Sequence, residues 1–195
     1  PAGVVLAVMA GPMLSTLFQY GKFDSYAVSM ARESLSAFAI GITPFMLVKI
    51  LAAGFYAKQD MRTPVRIGVI AMVCNMLFNV ALIWPLAHAG IALATSLAAI
   101  VNTSFLFYFL RQRGIYRPRE GWRMFMLRLI AANVVIGIWL WLGAGDLSDW
   151  TTHHAFWRYT HLAFLLTSAV LLYFAMLWLS GIRLHHLLIR DQQLV

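Results

Sequence analysis

Long apolar runs separated by short polar connections dominate the pattern of this chain. Each run approaches the ~20 residues that a helix needs to cross about 30 Å of hydrocarbon at 1.5 Å per residue. None alternates with the period of two that is typical of barrel strands, so the pattern favours helices. We therefore predict an all-α fold, a polytopic transmembrane helical bundle of about six spans. The predicted spans cover residues 2–18, 35–56, 65–86, 90–110, 124–142 and 161–180.

Basic residues gather in alternate connections. If six spans alternate, one side carries eleven Lys and Arg, in residues 58–66, in residues 111–128 and in the tail after residue 180. The other side carries only three, namely Lys22, Arg32 and Arg158. Because short loops rich in Lys and Arg stay in the cytoplasm, the pattern predicts that the basic side and both chain ends are cytoplasmic.

Composition supports a membrane location and excludes two other classes. With 62% apolar and 11% charged residues and a mean hydropathy of +0.77, the chain is too apolar for an ordinary soluble domain. The net charge of +8 does not indicate a nucleic-acid partner, since Lys and Arg form short clusters between apolar runs. The chain also opens on an apolar run without a basic start or a cleavage site, so we expect no signal peptide and a start inside a longer protein.

Two connections suggest how the spans are organised. The short link from His88 to Gly90 predicts a tight antiparallel hairpin of the third and fourth spans. The connection over residues 113–123 contains Gly114, Pro118 and Gly121 among its arginines, and such residues break helices. We therefore expect a four-helix part (residues 1–112), a basic cytoplasmic linker (113–123) and a final two-helix pair with a cytoplasmic tail (124–195).

Lys49 is the most informative single residue, because a Lys inside a span costs on the order of 2.5–3.5 kcal/mol on insertion scales. One interpretation is a cation that faces an internal aqueous cavity and meets an anionic substrate such as a phosphate. The alternative is a side chain that snorkels to the headgroups. Pro44 precedes it by five residues and is expected to kink the same span.

Neutral polar residues form a second candidate site. Asn75 and Asn79 share one helix face, and Thr95 lies on the next span across the hairpin. Their oxygens have the chemistry to hold a hard cation such as Na⁺, although Asn and Thr also join membrane helices by simple hydrogen bonding. The histidine pairs at 153–154 and 185–186 have no carboxylate or Cys at ligand spacing, so no metal site is expected. Because no catalytic motif is present either, we expect a transporter and not an enzyme.

Three strings point to a known family. LFQYGKF at residues 17–23, VKIL at 48–51 and GFYAKQDMRTP at 54–64 resemble the MurJ (MviN) family of lipid II flippases of Gram-negative bacteria. The third string is the most specific of them. Its motif residues fall in the predicted cytoplasmic loop and are Gln59, Asp60, Arg62, Thr63 and Pro64.

The resemblance implies a fold of fourteen helices in the multidrug/oligosaccharidyl-lipid/polysaccharide exporter superfamily, of which this chain would supply the last six. Such a protein moves undecaprenyl-pyrophosphate-linked peptidoglycan precursor, lipid II, across the bacterial inner membrane by alternating access of two lobes. The implied partners are lipid II, membrane lipids and an amino-terminal lobe outside this chain. Lys49 matches a cavity-lining Lys of the family, and the last two helices match a pair that borders the lipid tail.

The resemblance also bears on ions and leaves alternatives open. Some members hold sodium, and Asn75, Asn79 and Thr95 fall at matching positions, but Asn79 stands where those members carry an Asp, which weakens any such site. No other cofactor is implied. Another exporter of the superfamily, for polysaccharide-linked lipids or drugs, fits the same pattern. A membrane-embedded polyprenyl-phosphate enzyme fits less well, because it needs clustered acid/base or metal-binding groups.

Overall fold

The computed structural model describes residues 1–20, 24–115 and 121–179. Within these ranges every element of regular secondary structure is an α-helix, which confirms the predicted all-α class. The six helices are α1 (Ala2–Phe18), α2 (Ser25–Tyr56), α3 (Arg62–Gln112), α4 (Trp122–Ala144), α5 (Leu147–Thr152) and α6 (Ala155–Leu179).

Helix α3 is a hairpin of two helices. Ala87 interrupts it with non-helical angles of φ 45° and ψ −122°, a conformation that L-residues rarely adopt. Asn79 and Thr95, each eight residues from Ala87, line the same cavity. Ile67 and Leu106, about equally far from Ala87, share one buried cluster. Residues 62–86 and 88–112, here called the first and second arms of α3, therefore run antiparallel, as predicted from the short link.

Gly90 explains how the turn can be so tight. A Cβ atom on this residue would lie 2.2 Å from the carbonyl oxygen of Leu82 in the first arm, so only glycine fits. Ala94 and Ala98 continue the same stripe and are buried. The small residues thus allow close approach of neighbouring backbones.

Four helices are long and apolar enough to cross a membrane, namely α2, α3, α4 and α6, and α1 is a shorter apolar helix of 17 residues. Because α3 contains two spans, these helices contain all six predicted ones. Large apolar side chains cover the outside, among them Trp84, Trp141 and Trp178, which are 69–89% exposed. Such a surface suits a hydrocarbon solvent.

The helix bounds differ from prediction where polar residues lie inside helices. Helix α2 begins ten residues earlier than expected, because the Asp24 carboxylate accepts a hydrogen bond from the Ala27 amide at 2.9 Å and caps it. At 32 residues it is about 48 Å long, more than the hydrocarbon layer requires. The short helix α5, absent from the prediction, is held by the Trp150 indole, which donates to the Ala144 carbonyl at 2.6 Å.

Helix α1 lies at the centre of the packing. It contacts α2 on one side and α4, α5 and α6 on the other. The predicted division of the chain into residues 1–112, 113–123 and 124–195 stays a prediction.

Two buried clusters stabilise the fold. The first joins α1 to α4, α5 and α6 and consists of Met9, Ile136, Leu140, Ala144, Trp150, Leu162, Leu165 and Ala169. The second joins α2 to both arms of α3 and consists of Phe55, Ile67, Leu106 and Leu110.

Candidate functional site

A cavity of about 680 Å³ lies between α2 and the two arms of α3. Small and apolar side chains form much of its wall. Its polar lining brings together every predicted site residue within the spans, and one that was not predicted. These polar residues, which we call the polar set, are Lys49, Asn75, Asn79, Thr95 and Asn102.

Lys49 lines this cavity from α2, seven residues or about 10 Å before the helix ends at Tyr56. Its side chain is exposed, and within the described ranges it forms no ion pair. Among the described residues that line the cavity there is no carboxylate. The ammonium group is therefore available to an anion that enters the cavity.

Two hydrogen bonds fix the register of α2 against the second arm of α3. Ser96 Oγ donates to the Ala37 carbonyl at 2.8 Å, and Thr103 Oγ1 donates to the Pro44 carbonyl at 3.0 Å. Both join residues 59 positions apart, so the two helices run in the same direction. Helix α2 continues through Pro44 without interruption. The same offset places Lys49 level with Tyr108.

The predicted amide pair forms, but its oxygens are unequally satisfied. Asn79 Nδ2 donates to Asn75 Oδ1 at 2.5 Å, whereas the buried Asn79 Oδ1 has no partner among the described residues. Thr95 Oγ1 donates to the Ile91 carbonyl at 2.9 Å. A hard cation generally takes about six oxygen ligands, with carboxylates prominent among them. These three neutral side chains do not by themselves complete such a site.

Asn102 is the residue of the polar set that the sequence reasoning missed. It lines the cavity, and its side-chain oxygen Oδ1 is buried without a partner among the described residues. A signal was available, because Asn102 follows Thr95 by seven residues and so shares its helix face.

The loop motif builds the turn between α2 and α3. Gln59 takes the left-handed conformation, with φ of 58°, and reverses the chain. Asp60 Oδ1 then accepts hydrogen bonds from the Arg62 and Thr63 amides, both at 3.1 Å. Pro64 fits in the first turn of α3, where its missing N–H costs nothing. The motif is thus a capped turn at the end of the cavity-forming helices that we predicted to be cytoplasmic.

Arg113, at the far end of the hairpin, ties this turn to the second arm of α3. It forms an ion pair with Asp60 and donates to Thr63 Oγ1 at 2.9 Å, with its guanidinium 5.7 Å from the centre of the Phe55 ring. The Thr63 hydrogen bonds, and after them Arg113, lower the pKa of Asp60 to about 2. The sequence reasoning used Arg113 only for topology, because nothing local links it to Asp60.

Arg158 forms a similar tie at the opposite end of the molecule. Although only 8% exposed, it donates to four neutral acceptors: the carbonyls of Ser15, Thr151 and His153 and the side-chain oxygen of Gln19, at 2.7–3.2 Å. These bonds fasten the start of α6 to the end of α1. Helix α6 begins six residues before its predicted start, and Arg158 lies within this added stretch.

An apolar groove of about 550 Å³ lies between α1, α4 and α6. Its lining is almost wholly hydrocarbon and includes Val5, Ile136, Leu166, Val170 and Phe174. It contains no Lys, Arg, Asp or Glu among the described residues. The groove therefore offers mainly contacts that suit an apolar chain.

Some sequence predictions fall on residues outside the described ranges. They concern Lys22, Arg117 and Arg119, the cytoplasmic tail and the histidine pair at 185–186. Within residues 1–20, 24–115 and 121–179, no three His, Cys, Asp or Glu side chains come together as metal ligands would.

Fold and cavity together define the class of this chain as a polytopic helical membrane protein with a polar cavity inside its spans. Residues 1–161 match the model of the family described as lipid II flippase MurJ. The chain is 39% identical over 191 residues to the probable lipid II flippase MurJ of Haemophilus influenzae, covering 98% of this chain and 37% of that protein. It is also 39% identical over 186 residues to the lipid II flippase MurJ of Burkholderia cenocepacia, covering 94% and 36% of the two chains.

The probable lipid II flippase MurJ of Vibrio cholerae is 38% identical over 188 residues, which cover 96% of this chain and 36% of that protein. The chain belongs to the MurJ family. It spans a little over a third of the length of these relatives.

Proposed function

We propose that this chain forms the carboxy-terminal part of a lipid II flippase, a transporter that moves undecaprenyl-pyrophosphate-linked peptidoglycan precursor across the bacterial inner membrane by alternating access. The observation that carries this proposal is the position of Lys49, an intramembrane cation on a cavity whose other polar lining is neutral. The lipid II flippases to which the chain is similar support the substrate and favour transport over catalysis. An amino-terminal lobe would close the other side of the cavity.

Lys49 binds the pyrophosphate in this proposal. An ammonium group carries three donors and a full positive charge, and its attraction to phosphate rises where water is partly excluded. The cost of placing Lys49 inside a span is then offset when the anion arrives.

The apolar groove borders the polyprenyl tail in this proposal. Its wall is formed mainly by Leu, Ile, Val and Phe side chains, and Tyr173 carries the one side-chain hydroxyl among the described lining residues, so a hydrocarbon chain would desolvate few polar groups there. Helix α1 separates it from α2, the helix that carries Lys49. The headgroup and the tail thus lie in different parts of the fold.

The loop between α2 and α3 lies in the cytoplasm in this proposal, and both chain ends lie on the same side. The Lys and Arg side chains in the ranges 58–66 and 111–128 support that orientation. Lipid II would then enter the cavity near Lys49, at the end where its headgroup is made.

Asn75, Asn79 and Thr95 act here as a neutral polar patch deeper in the cavity. They lack the carboxylate that would make them a strong sodium site. Replacing Asn79 by Asp should create sodium-dependent binding of lipid II where the parent protein shows little. Equal dependence in both proteins would contradict this assignment.

The test of the proposal is complementation in cells depleted of their own flippase, with full-length protein carrying Lys49→Ala. We expect normal expression, loss of growth and accumulation of lipid II. The matched control is Lys58→Ala, which removes an exposed Lys outside the cavity and should support growth. Normal growth with Lys49→Ala would remove the basis of the proposal.

A further inference from the structure

The buried side-chain oxygen Oδ1 of Asn102 requires an explanation. It has no hydrogen-bond partner among the described residues, although it lies in a wall of the cavity that holds Lys49. Buried polar atoms are nearly always paired in native structures, because an unpaired one carries an unrecovered desolvation penalty. An oxygen left unpaired at a cavity wall is what a bound ligand with an N–H or O–H group would satisfy.

The register of the helices gives the position of this amide relative to Lys49. Since Lys49 is level with Tyr108, Asn102 lies six residues further along the second arm of α3, toward Ala87. Six residues correspond to about 9 Å along the helix axis. Asn102 is therefore the next polar group that a headgroup would meet after its phosphate reaches Lys49, before the deeper amides Asn75 and Asn79.

We propose that Asn102 is a specificity-determining residue that accepts a hydrogen bond from a hydroxyl or amide N–H of the saccharide part of the headgroup, while Lys49 holds the phosphate. This inference rests on the proposed function. With the phosphate at Lys49, a sugar bonded directly to the pyrophosphate and directed toward Ala87 would lie beside Asn102. A neutral amide suits this partner, because it offers both an acceptor and donors and adds no charge.

Asn133 provides a matched comparison. It too lies within a span, with Nδ2 donating to the Leu129 carbonyl at 2.7 Å and with a buried oxygen that has no partner among the described residues. It lines a different cavity, between α1, α2 and α4, and no Lys or Arg is among the described residues of that lining. Removal of its amide should therefore leave headgroup recognition unchanged.

The experiment measures binding of two ligands to the full-length protein in nanodiscs. One ligand is lipid II, and the other is undecaprenyl pyrophosphate, which has the phosphates and the tail but no sugar. Asn102→Leu should weaken lipid II binding about five- to tenfold, the value of one good hydrogen bond, and leave undecaprenyl pyrophosphate binding unchanged. Lys49→Ala should weaken binding of both ligands, and Asn133→Leu should weaken neither.

Unchanged binding of undecaprenyl pyrophosphate also shows that Asn102→Leu is folded. Asn102→Ser, which keeps a smaller polar group, should recover part of the lost affinity for lipid II. An equal loss for both ligands, or no loss for lipid II, would overturn the role of Asn102. The proposed function fails in a different way, if wild-type protein binds neither ligand or if Lys49→Ala alters neither affinity.

Discussion

The polar cavity and the apolar groove have similar volumes, about 680 and 550 Å³, but they are built in opposite ways. The cavity contains a cation and three amides between α2 and the hairpin α3, whereas hydrocarbon side chains cover the groove between α1, α4 and α6. Each region has its own buried cluster and its own arginine tie at one end. In the proposed function, these two regions would divide between them the headgroup and the tail of one amphipathic lipid.

The difference teaches how a membrane protein can hold polar groups without losing stability. Beside the cavity, hydroxyl groups donate to backbone carbonyls of a neighbouring helix, as Ser96 and Thr103 do. Around the groove, α4 and α6 pack closely because Gly143 allows Leu165 to approach, and His161 Nε2 lies 3.0 Å from the Gly143 carbonyl oxygen. Perturbing the frame of one region should therefore leave the other intact.

Arg158→Met should give the largest effect, on the frame of the groove. It removes the hydrogen bonds that Arg158 donates to the Ser15, Thr151 and His153 carbonyls, of which the bond to Ser15 is buried. We expect the free energy of unfolding to fall by about 3 kcal/mol, measured by thermal unfolding in detergent. Arg128→Met, on an exposed part of α4, is the control and should change it little. An equal fall in the free energy of unfolding of both variants would mean that the hydrogen bonds of Arg158 contribute no more to stability than an exposed arginine does.

Gly41→Ala should act on the contact between α2 and the second arm of α3, beside the cavity. The added Cβ would lie 2.7 Å from Ser96 Oγ and 3.0 Å from Ser96 Cα, so α2 and α3 must separate. Overpacking of this kind costs roughly 1–3 kcal/mol of unfolding free energy. Gly68→Ala, on the same cavity with nothing within 4 Å, should be neutral or stabilise by up to about 1 kcal/mol. A stable Gly41→Ala protein would contradict the close contact.

Val170→Gln should sharpen the comparison from the side of the groove. Val170 lines the groove, and an amide there meets hydrocarbon only, so lipid II binding should weaken roughly five- to tenfold. A short-tailed lipid II analogue should bind the variant as well as it binds the parent. Leu171→Gln is the control, because Leu171 is equally apolar but lines a different surface of α6. Loss of binding for both tail lengths would argue against a tail site.

Asp60→Asn should give the smallest effect. It acts on the ion pair between Asp60 and Arg113, in the turn at one end of the cavity-forming helices. The folded pKa of Asp60, about 2, lies below its ordinary value of 3.8, so its contribution to stability is complete above pH ~3.8. That contribution is lost as the pH falls toward 2, where the folded carboxylate takes up its proton. The parent should therefore lose more unfolding free energy than Asp60→Asn between pH 5 and pH 2, as measured by unfolding at each pH. If the free energy of unfolding fell equally in both proteins between pH 5 and pH 2, the stabilising role of the Asp60 carboxylate would be refuted.

The sequence by itself determined the membrane class, the six spans, the turn near residue 88 and the position of Lys49 inside a span. These features follow from local quantities: hydropathy over about 20 residues, the length of a link and the cost of one charge in hydrocarbon. The spacing of Asn75 and Asn79 also sufficed to place them on one face, since helix periodicity is local.

Only the tertiary structure decided which distant residues meet. The ties of Asp60 to Arg113 and of Ser15 to Arg158 join residues 53 and 143 positions apart, and nothing in their neighbourhoods encodes the pairing. The unpaired oxygen of Asn102 likewise became visible only with the register between α2 and α3. Helix offsets arise from side-chain packing summed over whole interfaces, so a linear pattern fixes the faces of these helices and leaves their alignment to the fold.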